Sequence, residues 1–271
     1  MLRFFAKWLW LLWCWLEVSV FTAVLYAMSW LPRALTGRYY HELSRVWCRF
    51  FVRALGIDLR LHQKNIQPVP EQYILISNHP SALEDFAIPA LFDIYPLAKK
   101  GVRDWYFIGR ISYRADSIFV KRDDPDSRRA ALEALTQAVD KGRNIAIFPE
   151  GGCKGRRIHS SFQTGAFDIS IRTGVPILPV FLHYEEQDRF EWHDPHTLLH
   201  KFWHFMTAQN NRANYYVYDA ISPQGFSDKH AFAEHVHQQY LQWQQRYLCL
   251  LYTSPSPRDQ SLYLVCRLLL E

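Results

Sequence analysis

Tyr73-Ile-Leu-Ile-Ser-Asn-His-Pro-Ser-Ala-Leu-Glu-Asp85 is the stretch on which the reading of the chain turns. Tyr73 to Ser77 is a short apolar run, the pattern of a strand buried on both faces of a sheet. Pro80 interrupts the strand and Ser81 opens a helix. In an open α/β sheet, ligands bind beyond the carboxyl ends of the strands. His79 is therefore expected at a sheet rim, with a carboxylate from Glu84 or Asp85 in the next helical turn. A histidine so placed can act as an oriented general base, the carboxylate holding its tautomer and stabilising the imidazolium. A plainer reading is also open. Ser81-x-x-Glu84 is a capping box, in which Glu84 only ties down the helix start.

Outward from this stretch, Ser117–Lys121, Asn144–Phe148, Ile177–Leu182 and Asn214–Ala220 are four more short apolar runs expected to be strands. Between them, Ser127–Lys141 and Gly165–Thr173 repeat apolar residues at helical spacing, with glycines 142 and 174 as natural stops. Phe232, Val236, Tyr240, Trp243 and Tyr247 give a last helix one apolar face. Strands alternating with helices imply an α/β fold, a mainly parallel central sheet flanked by helices.

The amino-terminal part is different. An apolar run from Trp8 to Trp30 is interrupted by one charge, Glu17, and Trp8, Trp10, Trp13 and Trp15 crowd its first half. About 20 apolar residues cross a hydrocarbon core. Residues 1–35 are accordingly expected to form an apolar membrane helix, either spanning the bilayer or lying in its interface. Residues 36–58 read as a basic amphipathic helix, with Arg38, Arg45, Arg49 and Arg53 attracted to anionic lipid or simply packed on the domain. Residues 59–248 form the α/β domain. Residues 249–271, with Ser-Pro-Ser-Pro at 254–257, break the helical pattern and resemble read-through of a sequencing adapter, so they are expected to be non-native.

Composition narrows the function classes. Of 271 residues, 49% are hydrophobic and 21% charged, which excludes a disordered chain. A net charge of +5 is too small for a polybasic nucleic-acid binder, so no nucleic-acid partner is expected. The five cysteines have no C-x-x-C pair, arguing against a disulfide framework or zinc ribbon. His193-Asp-Pro-His196 matches no standard zinc spacing and reads as a surface loop, so no metal site is expected. Neither a P-loop nor a dinucleotide fingerprint is present.

Three further features accompany His79. Phe148-Pro149-Glu150-Gly151 ends one predicted strand and is followed by Lys154, Arg156 and Arg157. Lys121-Arg122 ends another. Val175-Pro176-Ile-Leu-Pro179 opens a third. Glycine permits close backbone approach and cations suit a phosphate. Singly, each is also explained by a solvated loop or a turn.

In this order the four features resemble the glycerophospholipid acyltransferase family typified by 1-acylglycerol-3-phosphate acyltransferases. Asn78, His79 and position 84 match its Asn-His-x-x-x-x-Asp motif. Ile118–Arg122, with Lys99 and Lys100 upstream, matches the second motif, residues 148–151 the third, and residues 175–180 the fourth. The match covers about residues 60 to 185. Two departures stand out: Glu84 replaces the usual aspartate, with Asp85 next to it as an alternative partner, and Gly152-Cys153 replaces Thr-Arg. The resemblance implies transfer of a fatty acyl group from acyl-CoA or acyl carrier protein to the free hydroxyl of a lysophosphatidate-like glycerolipid, without a cofactor. His79 is the implied base, acting directly and without a covalent intermediate. Lys100, Arg122, Phe148, Pro149, Glu150, Gly151 and Pro176 are the implied substrate-binding residues. Membrane lipid is an implied partner, at the cytoplasmic face of a bacterial inner membrane. Other readings remain open: another acceptor (a lysophospholipid, an ornithine lipid or a lipid A precursor), a hydrolase, or a catalytically silent lipid-binding protein.

Overall fold

A computed structural model describes residues 2–251 except 122, 123, 154, 156 and 194, with backbone alone at 2–4, 38, 96, 99 and 248–251. The expected tail from residue 252 onward lies outside the described residues, as do Arg122, Lys154 and Arg156. In chain order the elements are α1 (Leu2–Met28), α2 (Arg33–Ala54), β1 (Asp58–Gln63), β2 (Ile74–Ser77), α3 (Glu84–Leu91) and β3 (Tyr95–Lys99). A 3-10 turn (Lys100–Asp104) leads to α4 (Tyr106–Arg114), β4 (Ile118–Val120), α5 (Pro125–Asp140), β5 (Ile145–Ile147), α6 (Gly165–Thr173) and β6 (Ile177–Tyr184). The chain closes with α7 (Gln187–Phe190), α8 (Leu198–Thr207), β7 (Arg212–Val217) and α9 (Lys229–Leu251).

The strands form one seven-stranded sheet in the order β1-β7-β6-β2-β5-β3-β4. β6, β2, β5, β3 and β4 are mutually parallel, whereas β7 runs antiparallel to β6 and carries β1 parallel to itself. The expected mainly parallel α/β fold is thus what the chain adopts. β1 and β3 were not among the expected strands. β1 is an edge strand with a half-exposed pattern, and β3 contains Pro96 and Lys99, so neither shows a continuous apolar run.

Strand side chains alternate between faces. Leu75, Leu178, Val180 and Leu182 enter a core with α1, α2, α3 and α8. Ile74, Ile76, Ile177 and Phe181 enter the opposite core with α5, α6 and α9. Local signals set the helix ends. Asp124 caps α5 by accepting from the Asp126 and Ser127 N–H groups, with Pro125 in the first turn. Gly174 closes α6 at φ 73°, a conformation costly for a residue with a Cβ.

α1 is long and apolar enough to cross a membrane by length and composition, with a mean hydropathy of 1.7 over its most apolar stretch. It nevertheless lies along the domain. Leu11, Cys14, Val18 and Leu25 are buried, while Leu9, Trp10, Leu12, Trp13, Leu16, Val20 and Val24 are exposed. Its start meets α8 through stacked Trp8 and Trp203, its middle meets α2 through Trp47 Nε1–H···Oγ1 Thr22 (2.8 Å), and its end receives Arg110 of α4 at Ser29 Oγ (2.8 Å). Glu17 is paired with Arg53.

Several α2 arginines pack on the domain. Arg45 Nε donates to Phe92 O (3.1 Å) and Arg49 Nε to Ala90 O (2.8 Å), satisfying carbonyls at the end of α3. With Arg53 on Glu17, each of these three cations has a protein acceptor, although Arg49 remains exposed; the Arg38 side chain lies outside the description.

α9 is locked to the sheet by Tyr240, whose buried hydroxyl lies 2.9 Å from Ile76 O, 3.1 Å from Val180 O and 3.1 Å from Val180 N. It sits beside Pro179, which withholds an N–H from a central strand. Tyr240→Phe should lower the unfolding free energy by about 1–3 kcal/mol by leaving buried backbone groups unpaired. Urea unfolding should show a lower midpoint with an unchanged m value.

Candidate active site

Because β2 and β5 are parallel neighbours with Ile76 opposite Ile147, the chain leaves the sheet at two adjacent points on the same edge. His79 and Glu150 each follow the paired residue by three positions. The register alone brings together two motifs separated by some seventy residues in sequence. The His79 ring stacks on Phe148 at 4.0 Å between centroids and 9° between planes. The His79 N–H donates to Glu150 Oε2 (2.7 Å), and Glu150 Oε1 accepts from the His159 N–H (2.9 Å).

The ring's other contacts define its chemistry. His79 Nδ1 lies 2.8 Å from Glu84 Oε2, which also accepts from the Ser81 N–H (3.0 Å). Glu84 Oε1 accepts from the Tyr184 hydroxyl at the end of β6. Both readings of Glu84 are therefore realised in one carboxylate: it restrains the start of α3 and orients the imidazole. Ser81 does not complete the capping box, since its hydroxyl donates to Phe190 O (2.5 Å). Asp85 is exposed on the first turn of α3, and Glu84 rather than Asp85 meets the ring. Nε2 faces Cys153, whose Sγ is 3.4 Å away and donates to Ser81 O (3.0 Å).

Burial opposes the imidazolium. The hydrogen bonds to Cys153 and Glu84 and the charges of Asp85 and Glu84 outweigh it, so His79 titrates well above the ordinary histidine range. Burial raises the Glu150 carboxyl, and the two backbone N–H donors hold it back.

The remaining expected residues separate. Lys100 is exposed and follows β3 at this same carboxyl edge, two strands from β2. Arg122 lies outside the described residues; Lys121 before it leaves β4 three strands from β2, about 14 Å at the usual interstrand spacing. Phe148 and Glu150 touch His79 itself. Glu150 has both oxygens on backbone N–H groups, so it positions the histidine rather than holding a phosphate. Pro149 O accepts from the Gln163 N–H (2.7 Å), and Gly151 adopts φ 75° to complete the turn. Pro176 is a correction. It opens β6, its carbonyl accepts from the Ile74 N–H, and β6 is parallel to β2. It therefore lies at the opposite edge of the sheet, level with Tyr73 and about 13 Å along β2 from Ser77, where the strand ends two residues before His79.

Two positioning roles were not anticipated, one for Asn78 of the motif and one for Tyr184. Asn78 clasps β6, with Nδ2 on Leu182 O (3.0 Å) and Oδ1 accepting from the Leu182 N–H (2.8 Å). Tyr184 reaches Glu84 from the end of the same strand. A tyrosine closing a fully buried strand was the only signal in the sequence for the second.

A family model described as Acyltransferase matches residues 58–183. A lysophosphatidylcholine acyltransferase of Drosophila melanogaster is 31% identical over 144 residues, 51% of this chain and 26% of that protein. A 1-acyl-sn-glycerol-3-phosphate acyltransferase of Neisseria meningitidis serogroup B is 25% identical, over 51% of this chain and 54% of its own length. A lyso-ornithine lipid O-acyltransferase of Pseudomonas aeruginosa is 28% identical, over 57% and 58%. The alignments thus span from about a quarter to under two thirds of these relatives. The crystal structure of the 1-acyl-sn-glycerophosphate (LPA) acyltransferase PlsC from Thermotoga maritima has the same fold, with a TM-score of 0.63 and 18% identity, covering 90% of this chain and 97% of that one.

NMR titration of His79 should give a midpoint above about 6.5. Glu84→Gln should lower it, by removing a hydrogen-bonding charge, and by more than Asp85→Asn does.

Proposed function

Residues 58–183 match the Acyltransferase family model, and from this match we propose that the protein transfers a fatty acyl group from acyl-CoA or acyl carrier protein to the hydroxyl of a lysophosphatidate-like lipid. The observation that carries the reading is the His79 ring: Nδ1 on a buried carboxylate at 2.8 Å, Nε2 turned to the loop side of the sheet edge.

In the proposed reaction, Nε2 takes the proton of the acceptor hydroxyl as its oxygen attacks the thioester carbonyl. The ester bond forms, the carbon–sulfur bond breaks, and the imidazolium returns the proton to the departing thiolate. The donor is already activated, so the protein's task is deprotonation and positioning, the former worth about 10²–10⁴-fold. Glu84 keeps the Nδ1–H tautomer and stabilises the imidazolium. Lys100 and Arg122 are proposed to hold the acceptor's phosphate. Cys153 is not required as a nucleophile.

The acceptor is the least constrained part. Gly152-Cys153 stand where the family has Thr-Arg, which removes a phosphate-binding cation next to His79. That favours keeping a second reading, an acceptor without a terminal phosphomonoester such as a lyso-ornithine lipid.

The exposed apolar residues of α1 continue into Trp30, Leu31, Leu35, Tyr39, Trp105, Tyr106 and Phe107. We propose that this face lies in a bilayer interface, with α1 parallel to the surface. The helix packs along the domain over its length, which supports the in-plane reading over a spanning one. Acyl thioesters are cytoplasmic, which supports the cytoplasmic leaflet as the working surface.

With purified protein, labelled acyl-CoA and a panel of lysolipids, His79→Ala should reduce ester formation by about 10²-fold or more. Free fatty acid as the sole product would favour a hydrolase. Cys153→Ala should keep most of the activity, and no acyl adduct should appear on the protein by mass spectrometry. Because neutral Nε2 is the base, kcat/KM should rise with pH through the His79 titration. Cys153→Ala, which removes one of the bonds that raise it, should move that rise to lower pH.

A further inference from the structure

The loop containing His193 and His196 acquires partners that its own spacing does not reveal. His196, His200 and His204 recur every four residues, and Thr197 caps α8 by accepting from the His200 N–H (3.3 Å). The capped helix sets His200 beside His204, with 57° between the ring planes, and brings His196 to the same face. One ring nitrogen from each of the three lies within 4.8 Å of the others. Ring centroids are 4.2 Å apart for His200–His204, 4.8 Å for His196–His200 and 5.4 Å for His196–His204. A tetrahedral zinc ion at the usual bond length needs nitrogens about 3.3 Å apart. Side-chain rotation of about 1 Å closes that difference without moving the helix.

A further observation points to a ligand. His204 Nδ1 is buried and has no hydrogen-bond partner among the described residues, an arrangement native proteins rarely leave unfilled. The nearest ammonium is already engaged: Lys201 Nζ donates to Arg189 O (2.7 Å) and Glu191 O (2.6 Å). The Glu191 carboxylate, 2.9 Å from His193 Nε2, supplies negative charge on the same loop. His196 Nδ1 receives the His193 N–H at 3.3 Å, a long bond that a metal ion can replace.

We propose that His196, His200 and His204 bind one late first-row divalent cation, zinc above all, with a fourth position for water. Three imidazoles suit zinc, copper and nickel and disfavour magnesium and calcium. The cation's role is a clamp. The segment that carries His196 also holds the His79 turn, through Ser81 Oγ on Phe190 O and the Trp192 N–H on Pro80 O (2.8 Å). Metal binding would fasten that segment to α8. The site is separate from the proposed acyl transfer and is tested without it.

The untagged full-length protein in detergent, stripped with a chelator, should bind about one zinc per chain by elemental analysis after gel filtration. Cobalt(II) should give the strong visible absorption of a tetrahedral centre, and zinc should raise the melting temperature in a concentration-dependent way. His200→Ala and His204→Ala should each weaken binding at least about tenfold, while His230→Ala on α9 leaves it unchanged. Absence of a tetrahedral cobalt spectrum in the unmodified chain, or undiminished zinc binding in the His200→Ala/His204→Ala double variant, would overturn the site. The cobalt spectrum needs no variant and so stands even where a substitution unfolds the protein.

Discussion

The Glu84 carboxylate is the point on which the site depends. It is fully buried, and a lone carboxylate in such a place is strongly unfavourable. Three donors from three parts of the chain make it tolerable: the His79 ring after β2, the Ser81 N–H before α3, and the Tyr184 hydroxyl at the end of β6. Each donor is thereby held in one place. The same bond that satisfies the carboxylate fixes which nitrogen of His79 carries the proton, so folding and chemistry share one constraint.

Glu150 repeats the device one strand away. Its two oxygens are taken by the backbone N–H groups of His79 and His159. One buried carboxylate thus orients the His79 ring and a second anchors its backbone, while Phe148 sets the plane of the ring from the side. The rim is rigid because polar groups that cannot reach water are paired across β2, β5 and β6. Conversely, the side from which Nε2 is approached is a loop, lined by Cys153 and Ser81 O rather than by a strand.

Charge on the amino-terminal helices follows the same economy. Arg45 and Arg49 serve the carbonyl end of α3, and Arg53 neutralises the one carboxylate of α1. Apart from Lys7 and Ser19, what remains outward on α1 is largely leucine, valine, tryptophan and phenylalanine. A basic helix by composition is, in place, largely an adaptor between α1 and α3, and the apolar face it leaves uncovered is the surface proposed to meet lipid.

Strand and helix periodicity, the capping and stop residues, and the order of the motifs were legible in the residues themselves. These are local properties, and they sufficed for the α/β class, for the helix ending at Gly174, and for His79 at a strand end with a carboxylate one turn on. β1 and β3 escaped because an edge strand and a strand with proline and lysine lack the apolar run that marks a buried one. Pro176 was misplaced because a motif's order along the chain does not say at which edge of a parallel sheet it emerges. Motif register favoured Glu84 over Asp85, and the fold brings Glu84 to the ring; only tertiary structure decided that Tyr184 and Asn78 support the site and that three histidines converge at α8 and the residues just before it. Each of those is a meeting of groups brought together by strand register and helix packing, and register is set by the burial of whole faces, which no single stretch of sequence contains.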